Sequence, residues 1–407
     1  MDEQRTIESE QHEGAPRRQE HHVSRRGLLA GAATAGAGAL LAGGSARAQD
    51  ATPGPLAGEA IPGPATPVVA TPSAGATGPK FGFVLSHEQF PAPQLVEWGV
   101  AAEAAGFDEL WVSDHIHPWQ DNQGHSMFPW ITLALIGART STIVMGTGVT
   151  CPIYRHSPAD VAQAFATLGI FNPGRIFLGV GTGEALNEQA FTGQFGPYAE
   201  RASRFQEAIQ LIRLLWAGDV VNHRGEHFNV EHARLYDVPE QAVPLHVAAS
   251  GPKSAAIAGK HGDGWITGAA DLLKKPELLQ AVKDAAQAAG KDPAAFPVRA
   301  ETFVNVAGGD TVAQAASKWR FTVDAWSDLL YEPDPRDIQA IAEQRFPDEQ
   351  VTQSWPIGED PAVHVQAIQK VLDAGATHVY IHSGEEDQQR VIDFNGSQVL
   401  PRLRGQM

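Results

Sequence analysis

The stretch Ile143–Val180, IVMGTGVTCPIYRHSPADVAQAFATLGIFNPGRIFLGV, contains the pattern that decides the fold. It begins with an apolar run over Ile143–Val149, continues with a helical segment over Pro158–Phe171, and ends with a second apolar run over Arg175–Val180. The Ser-Pro pair at the start of the helical segment is a typical helix start, because serine caps free N–H groups and proline fits the first turn. Two short apolar runs joined by a helix predict a parallel β–α–β unit.

The same unit recurs from about Lys80 to the end of the chain. The other predicted strands are Phe81–Leu85, Glu109–Ser113, Leu245–Ala249, Gly264–Thr267, Val298–Val306 and His378–His382, and the other main helices are Pro91–Ala105, Pro129–Arg139, Tyr198–Trp216 and Ala362–Ala374. Eight strands that alternate with helices predict an α/β protein, a (β/α)8 TIM barrel. An open doubly wound sheet is the alternative.

One segment does not fit the repeat. The chain between Val306 and Ala362 is too long for a single crossover helix. We interpret it as an insertion, with helices around Thr311–Leu330 and Pro335–Gln344, that covers the site.

The composition excludes several kinds of partner. The 407 residues carry a formal net charge of −17, whereas nucleic acids and anionic lipid surfaces require a basic face. The single cysteine, Cys151, excludes an internal disulfide and a cysteine-rich metal site. We therefore expect a small-molecule or lipid substrate and no nucleic acid.

The N-terminal region carries an export pattern followed by a spacer. Arg25 and Arg26 precede an apolar run rich in Ala, Gly and Leu, and Ala46-Arg47-Ala48 has the form of a cleavage site. Twin arginines in this position are typical of Tat export. We predict a signal peptide over 1–48, the Tat machinery as a partner, and a periplasmic, cell-envelope or extracellular location; an uncleaved membrane anchor is the alternative. Residues 49–79, rich in Pro, Ala, Thr and Gly, are predicted as a linker, and 80–407 as the catalytic domain.

The stretch WVSDHIHPW, Trp111–Trp119, places an acid and two histidines directly after a predicted strand. The active sites of such barrels form at the carboxyl ends of the strands. As metal ligands, His115 and His117 would need partners such as His246 and His382, but His246 falls inside a predicted strand. As a proton-transfer group, one histidine suffices, and the other then packs or points away.

Three other strand ends are rich in glycine. They are Gly146-Thr147-Gly148, Gly181-Thr182-Gly183 and Ala249-Ser250-Gly251. A flat ring system can lie against such bare backbone, with N–H groups available to its carbonyls and to phosphate. Tight turns explain any one of these loops equally well, but three together favour a planar cofactor and no metal.

Several motifs together resemble a known family. The motifs are SDHIHPW, GTGVTCPIYRHSPADVAQAFATL, NPGRIFLGVGTGEALNE, YDVPEQAVPLHVAASGP and AGKHGDGWI. They are similar to those of the luciferase-like barrel oxidoreductases, in particular the branch of coenzyme F420-dependent glucose-6-phosphate and exported hydroxymycolic acid dehydrogenases. The resemblance covers the chain from Lys80 to Arg404 and implies hydride transfer between an alcohol and a deazaflavin, in a protein expected to be a homodimer.

The resemblance also implies roles for individual residues. His115 would take the proton of the substrate hydroxyl, Trp119 would wall the reacting centre, and Glu184 would serve the N1 side of the ring. Gly148-Val149 would form a non-prolyl cis peptide behind the ring. The remaining residues expected at the cofactor are Asp114, Cys151 (a threonine in the dehydrogenases), Thr182, Asn187, Ser250, Gly251, Lys253 and Ser254.

The substrate positions depart from the sugar-phosphate enzymes. Those enzymes hold phosphate with basic residues, and the matching positions here are Asp271, Leu329 and Ser354, although Lys274 or Lys275 could substitute. Glu88 and Gly268 are further candidates for substrate contact. We expect an apolar alcohol or ketone and not glucose 6-phosphate. An FMN-dependent monooxygenase and a non-catalytic cofactor-binding protein are the alternatives.

Overall fold

The computed structural model describes residues 78–406. The predicted signal peptide and all but the last two residues of the predicted linker lie outside the described residues. No helix within the described range is long and apolar enough to cross a membrane.

Eight parallel strands form a closed barrel in the order β1-β10-β9-β8-β7-β4-β3-β2. They are β1 (Lys80–Leu85), β2 (Glu109–Val112), β3 (Val144–Thr147), β4 (Ile176–Val180), β7 (Leu245–Ala248), β8 (Gly264–Gly268), β9 (Val298–Phe303) and β10 (His378–His382). Strand β1 pairs with both β2 and β10, which closes the sheet. The predicted TIM barrel is confirmed, and the open doubly wound sheet is wrong.

Helices follow the strands, most of them around the outside of the barrel, whereas the ninth to eleventh belong to the insertion over its carboxyl end. They are α1 (Ala92–Ala104), α2 (Pro129–Gly137), α3 (Pro158–Phe171), α4 (Ala185–Thr192), α5 (Tyr198–Trp216), α6 (Pro252–His261), α7 (Ala269–Lys274), α8 (Pro276–Ala288), α9 (Asp310–Lys318), α10 (Pro335–Arg345), α11 (Asp348–Val351), α12 (Pro361–Asp373), α13 (Gln388–Phe394) and α14 (Leu400–Leu403). Helix α3 begins as its sequence predicts, because the Ser157 hydroxyl accepts the Asp160 N–H at 3.1 Å. A short hairpin of β5 (Val221–Arg224) and β6 (Asn229–Ala233), which we did not predict, follows α5.

The barrel lumen is filled in layers, because alternate side chains of each strand point inward. At the amino end, the Arg299 guanidinium lies 3.3 Å from the Glu109 carboxylate. Above them, the rings of Trp111 and Tyr380 stack 3.9 Å apart in an apolar layer that also contains Val84, Phe177 and Ile266. This apolar layer fills the lumen directly below the opening at the carboxyl end of the barrel, which we call the mouth.

The insertion differs from its prediction in one helix. The helix expected over Thr311–Leu330 is wrong beyond Lys318, where the chain continues as 3₁₀ turns over Arg320–Thr322 and Asp324–Leu329. The buried residues Val323, Trp326 and Leu329 recur every third position, which matches three residues per turn. The second predicted helix is confirmed as α10, and strands β3 and β9 end earlier than predicted, at Thr147 and Phe303.

The insertion covers the mouth of the barrel with an aromatic cluster, which we call the lid cluster. Its members include Phe303, Trp319, Phe321, Trp326, Leu329 and Trp355, with Trp119 packed against them. The Trp319 indole N–H donates to the Gln89 side chain at 2.5 Å, and the Ala185 N–H donates to the Leu330 carbonyl at 3.0 Å. The insertion is therefore tied to the loops after β1 and β4, directly above the lumen.

Candidate active site

The mouth of the lumen divides into two halves of different chemistry. At the carboxyl ends of four neighbouring strands, β3, β4, β7 and β8, the inward-facing residues are small. They are Gly148, Gly181, Ala248 and Gly268, and we call them the glycine side. The other four, β9, β10, β1 and β2, lead to polar residues, which we call the polar side: Glu301, His382, Ser86 and Ser113. Each of these residues lies two or four positions after a residue of the lumen layers and so faces inward.

Close packing keeps the glycine side free of larger side chains. The Gly148–Val149 peptide bond is cis, as the resemblance implied. A Cβ at Gly148 would lie 2.7 Å from the Trp111 ring, and one at Gly181 would lie 2.8 Å from the Val149 side chain. A Cβ at Gly268 would meet no atom within 4 Å, so space is open there. The result is a wall of backbone at Gly148 and Gly181, which fits a flat ring, and open space beside it at Gly268.

The loop after β4 brings Glu184 and Asn187 to the edge of this wall. Glu184 is the residue before α4, and its carboxylate accepts from the Asn187 amide at 3.3 Å. The Asn187 oxygen accepts the backbone N–H groups of Ile116 at 2.9 Å and of His117 at 3.4 Å. Those two bonds orient the amide so that its NH₂ faces Glu184 and the His115 ring.

His115 lies at the centre of a hydrogen-bond network. Its Nδ1 is 3.0 Å from the His117 carbonyl oxygen and 3.1 Å from the Asn187 nitrogen. Its Nε2 is 3.6 Å from a Glu88 carboxylate oxygen, and the other Glu88 oxygen accepts the Ser113 hydroxyl at 2.5 Å. The ring packs against Trp119 at 4.8 Å between centroids. The network fixes the imidazole and turns Nε2 towards a buried carboxylate.

Asp114, beside His115, anchors the loop from inside the protein. It is 3% exposed, and its carboxylate accepts the Thr150 hydroxyl at 2.6 Å, the Trp130 N–H at 3.1 Å and the Arg155 guanidinium at 2.6 Å. Burial alone would raise the pKa of Asp114, but His156, Arg155 and Thr150 together hold it well below its usual range. The carboxylate is thus ionised and fully bonded within the protein, and a contact with the cofactor stays a prediction.

Cys151 and Thr182 lie near the glycine side but differ in surroundings. A Cβ at Gly183, whose φ is +73°, would lie 2.6 Å from the Cys151 sulfur. Burial raises the pKa of the Cys151 thiol, and the neighbouring carboxylates of Glu188 and Glu184 raise it further. The thiol is therefore neutral and unreactive. Thr182 is partly exposed in the loop.

The start of α6 carries four predicted cofactor residues. Ser250 and Lys253 are exposed, and Gly251 and Ser254 are partly exposed. The Ser254 hydroxyl accepts the Gly251 N–H at 3.2 Å and caps the helix. Helix N-termini attract anionic groups, so this end suits a phosphodiester tail.

The two histidines of WVSDHIHPW, His115 and His117, have separate surroundings. The His117 ring packs against Phe191 at 5.3 Å and not against the polar side. His246 lies in the lower part of the lumen, where its ring approaches Arg299 at 3.4 Å. His382 bonds to Ser86 and Glu301. Among residues 78–406 no three His, Cys, Asp or Glu side chains gather as a metal site.

The predicted substrate positions are spread over the insertion and the strand ends. Leu329 is 4% exposed inside the lid cluster, whereas Ser354 is exposed. Asp271, at the start of α7, pairs with Lys275 at 2.7 Å. Gly268 lines the open space of the mouth, and the buried Glu88 carboxylate lies beside His115.

The sequence pattern does not predict several residues of the site. Arg155 binds the Asp114 carboxylate, and its backbone N–H donates to Glu188 at 2.8 Å. Burial raises the pKa of Glu188. Glu301 and Ser113 were also missed. A signal for Glu301 existed, since a charged residue two positions after a lumen arginine must also face the lumen.

Comparison with known proteins agrees with this geometry. The pattern of luciferase-like monooxygenases matches residues 74–378. An F420-dependent hydroxymycolic acid dehydrogenase of Mycobacterium tuberculosis is 50% identical over 384 residues, 94% of this chain and 99% of the relative. An F420-dependent glucose-6-phosphate dehydrogenase of Gordonia bronchialis is 40% identical over 336 residues, 80% and 97% of the two chains. A solved F420-dependent secondary alcohol dehydrogenase, in complex with an F420–acetone adduct, is 30% identical with a TM-score of 0.74 and covers 79% of this chain and 98% of its own. The chain therefore belongs to the family of luciferase-like monooxygenases.

Proposed function

We propose that this protein is an exported coenzyme F420-dependent oxidoreductase that interconverts an alcohol and a ketone. The observation that carries the proposal is the position of His115, fixed between Asn187 and Glu88 at the border of the polar side and the glycine side. The relatives named above are F420-dependent dehydrogenases, which supports the predicted enzyme class and cofactor.

The residues present fit a deazaflavin. The glycine side would form the flat wall behind the ring, the start of α6 would offer N–H groups to the tail, and Glu184 would serve the edge of the ring. When bound, the cofactor supplies the hydride acceptor or donor. The chain's own residues handle the proton.

His115 is suited to that proton transfer in both directions. When its Nδ1 carries the ring proton, the His117 carbonyl accepts it, and the free Nε2 can take the proton of a substrate hydroxyl. In this tautomer the Asn187 NH₂ contacts the ring without a hydrogen bond to Nδ1 and donates to Glu184 instead. The imidazolium that results lies 3.6 Å from the Glu88 carboxylate, which stabilises it. For a ketone substrate the same imidazolium donates the proton back.

The substrate is apolar around the reacting carbon and is not glucose 6-phosphate. The three positions matched to phosphate binding hold a buried leucine in the lid cluster, an exposed serine, and an aspartate neutralised by Lys275. None of these offers a free cation to a phosphate dianion. Trp119 stacks on Phe321 at 5.3 Å, so aromatic faces enclose the space above His115.

The first prediction concerns the cofactor. The purified protein is expected to bind F420 more tightly than FMN or NADP, because the glycine side and Glu184 match the deazaflavin. Quenching of tryptophan fluorescence, titrated with each cofactor, measures the three affinities. Tighter binding of FMN would assign the chain to the flavin monooxygenases instead.

The second prediction separates the two histidines. His115→Ala is expected to lower the rate of F420 reduction by a secondary alcohol by roughly 10²- to 10⁴-fold, the usual contribution of a general base. His117→Ala is the matched control and is expected to lower it less than about threefold, since its ring packs on Phe191. F420 affinity, measured on both variants, should stay near that of the wild type. Equal losses in the two variants, or activity abolished by a chelator, would contradict the proton-transfer role.

The proposal of export rests on the N-terminal residues and on one alignment. The 384 residues aligned with the hydroxymycolic acid dehydrogenase exceed the 330 residues that remain after position 77 (407 − 77), so this relative has a similar N-terminal extension. The glucose-6-phosphate dehydrogenase aligns with only 80% of this chain although 97% of its own length is covered. Changing Arg25 and Arg26 to lysine is expected to keep the protein folded inside the cell, as fractionation and F420 binding would report. Undiminished export of this variant would contradict the Tat route.

We also propose a homodimer formed through α2 and α3. Ile131 and Leu135 on α2 are 61% and 51% exposed and border an apolar groove of about 420 Å³ against Leu168 of α3. Exposed leucine and isoleucine beside a groove favour a protein partner. Sedimentation velocity is expected to show a dimer that Leu135→Glu converts to monomer, whereas Tyr236→Glu, at an 85% exposed side chain elsewhere, leaves it intact. A monomeric wild type would refute this interface.

A further inference from the structure

A chain of three hydrogen-bonded residues crosses the polar side without a part in the proton transfer described above. The Ser86 hydroxyl lies 2.6 Å from His382 Nε2, and His382 Nδ1 lies 2.6 Å from a Glu301 carboxylate oxygen. The three residues come from the ends of β1 and β10 and from the upper part of β9. The His382 ring is held between Phe303, at 4.1 Å, and Trp319 of the lid cluster, at 4.4 Å.

Glu301 is the only member of this chain of three that opens to the mouth. Ser86 and His382 are each 2% exposed, whereas the Glu301 side chain is 23% exposed although its strand lies between two others. Glu301 is paired with Gly268 of the adjacent strand β8, where an added Cβ would meet no atom within 4 Å. The carboxylate therefore borders the open space where a substrate can lie.

The hydrogen bonds define what Glu301 can bind. Ionised Glu301 accepts the His382 Nδ1–H, so Nε2 is free to accept the Ser86 hydroxyl proton. The side-chain donors of Ser86 and His382 are both used in these two bonds. The described residues supply no hydrogen-bond partner to the second Glu301 oxygen. That oxygen can only accept a hydrogen bond. A group of the substrate that faces it must be a donor.

We infer that Glu301 binds a second hydroxyl group of the substrate, away from the hydroxyl that His115 deprotonates. The inference rests on the proposed oxidoreductase function. The Glu301 carboxylate is itself an anion, so a phosphate or carboxylate group in the same position is repelled. The substrate class is a secondary alcohol, or its ketone, that carries a further hydroxyl.

A hydrolytic Ser-His-Glu triad does not fit these observations. Its serine must be open to the group it attacks, whereas Ser86 is 2% exposed and its hydroxyl is bonded to His382. His382 and Ser86 are positioning residues, which hold the carboxylate in one orientation.

Matched alcohols test the inference. Butan-2-ol, pentan-2-ol and hexan-2-ol are compared with butane-1,3-diol, pentane-1,4-diol and hexane-1,5-diol, each the same alcohol with a terminal hydroxyl added. The kcat/KM for F420 reduction is expected to be about tenfold higher for at least one diol than for its partner, mainly through KM, as a hydrogen bond to a charged group implies.

Glu301→Gln removes the charge and keeps the shape. The glutamine oxygen can still accept the His382 N–H, so its NH₂ faces the substrate. This NH₂ can only donate to the oxygen of the second hydroxyl, a neutral bond that is weaker than the bond to the carboxylate, so the diol-to-monool ratio is expected to fall by roughly threefold or more. Glu231→Gln, at an exposed glutamate of β6, is the control and should keep the wild-type ratio. Each ratio is measured within one preparation, so a partly misfolded fraction cancels.

The outcomes separate this inference from the proposed function. Wild-type ratios near one for all three pairs, or a ratio unchanged by Glu301→Gln, would overturn the inference and leave the F420-dependent oxidoreductase standing. F420 left unreduced by every alcohol and every diol would overturn both. A stability loss in Glu301→Gln without a change in ratio would mean that the chain of three only ties the strands together.

Discussion

The stacked pair of Trp111 and Tyr380 is the constraint on which the mouth of the barrel depends. The two rings fill the middle of the lumen and bury a large apolar area, and their neighbours must yield space to them. A Cβ at Gly82 would overlap the Tyr380 ring, and one at Gly148 would lie 2.7 Å from Trp111. Gly148 thus both keeps the wall flat and leaves room for the Trp111 ring. Packing and function set the same requirement at this position.

The two halves of the mouth follow from which strands are neighbours. In a closed barrel with strands in chain order, residues that are small on β3, β4, β7 and β8 form one continuous arc, and the polar residues of β9, β10, β1 and β2 form the other. The arc without side chains suits a rigid ring, and the arc with carboxylates and imidazoles suits a substrate that exchanges protons. Asp114 shows how the border is kept rigid, since Arg155, Thr150 and Trp130 satisfy its buried charge and so fix the loop that carries His115.

The sequence predicted those parts of the structure that depend on short-range patterns. Strand and helix periodicity gave the barrel, and the glycine-rich strand ends indicated the flat wall. Contacts between distant residues left no such trace. Asn187 reaches His115 across 72 positions and Ser86 reaches His382 across 296, and nothing in either local sequence indicates its partner. The 3₁₀ turns of the insertion were missed because tertiary packing of Val323, Trp326 and Leu329 overrides helical propensity there.

The lid cluster joins the two hydrogen-bond networks of the polar side through their rings. Trp119 packs on His115, and Phe303 and Trp319 pack on His382, while Phe321 contacts both Trp119 and Phe303. Each imidazole therefore has its edges in hydrogen bonds and a face against an aromatic ring that excludes water. Hydrogen bonds and charge pairs strengthen in such surroundings, so the lid strengthens the interactions of Glu88 and Glu301 without touching either carboxylate through a polar atom. The insertion therefore affects the chemistry of the mouth by excluding water from it, while the strands and the loops that follow them supply the reacting groups.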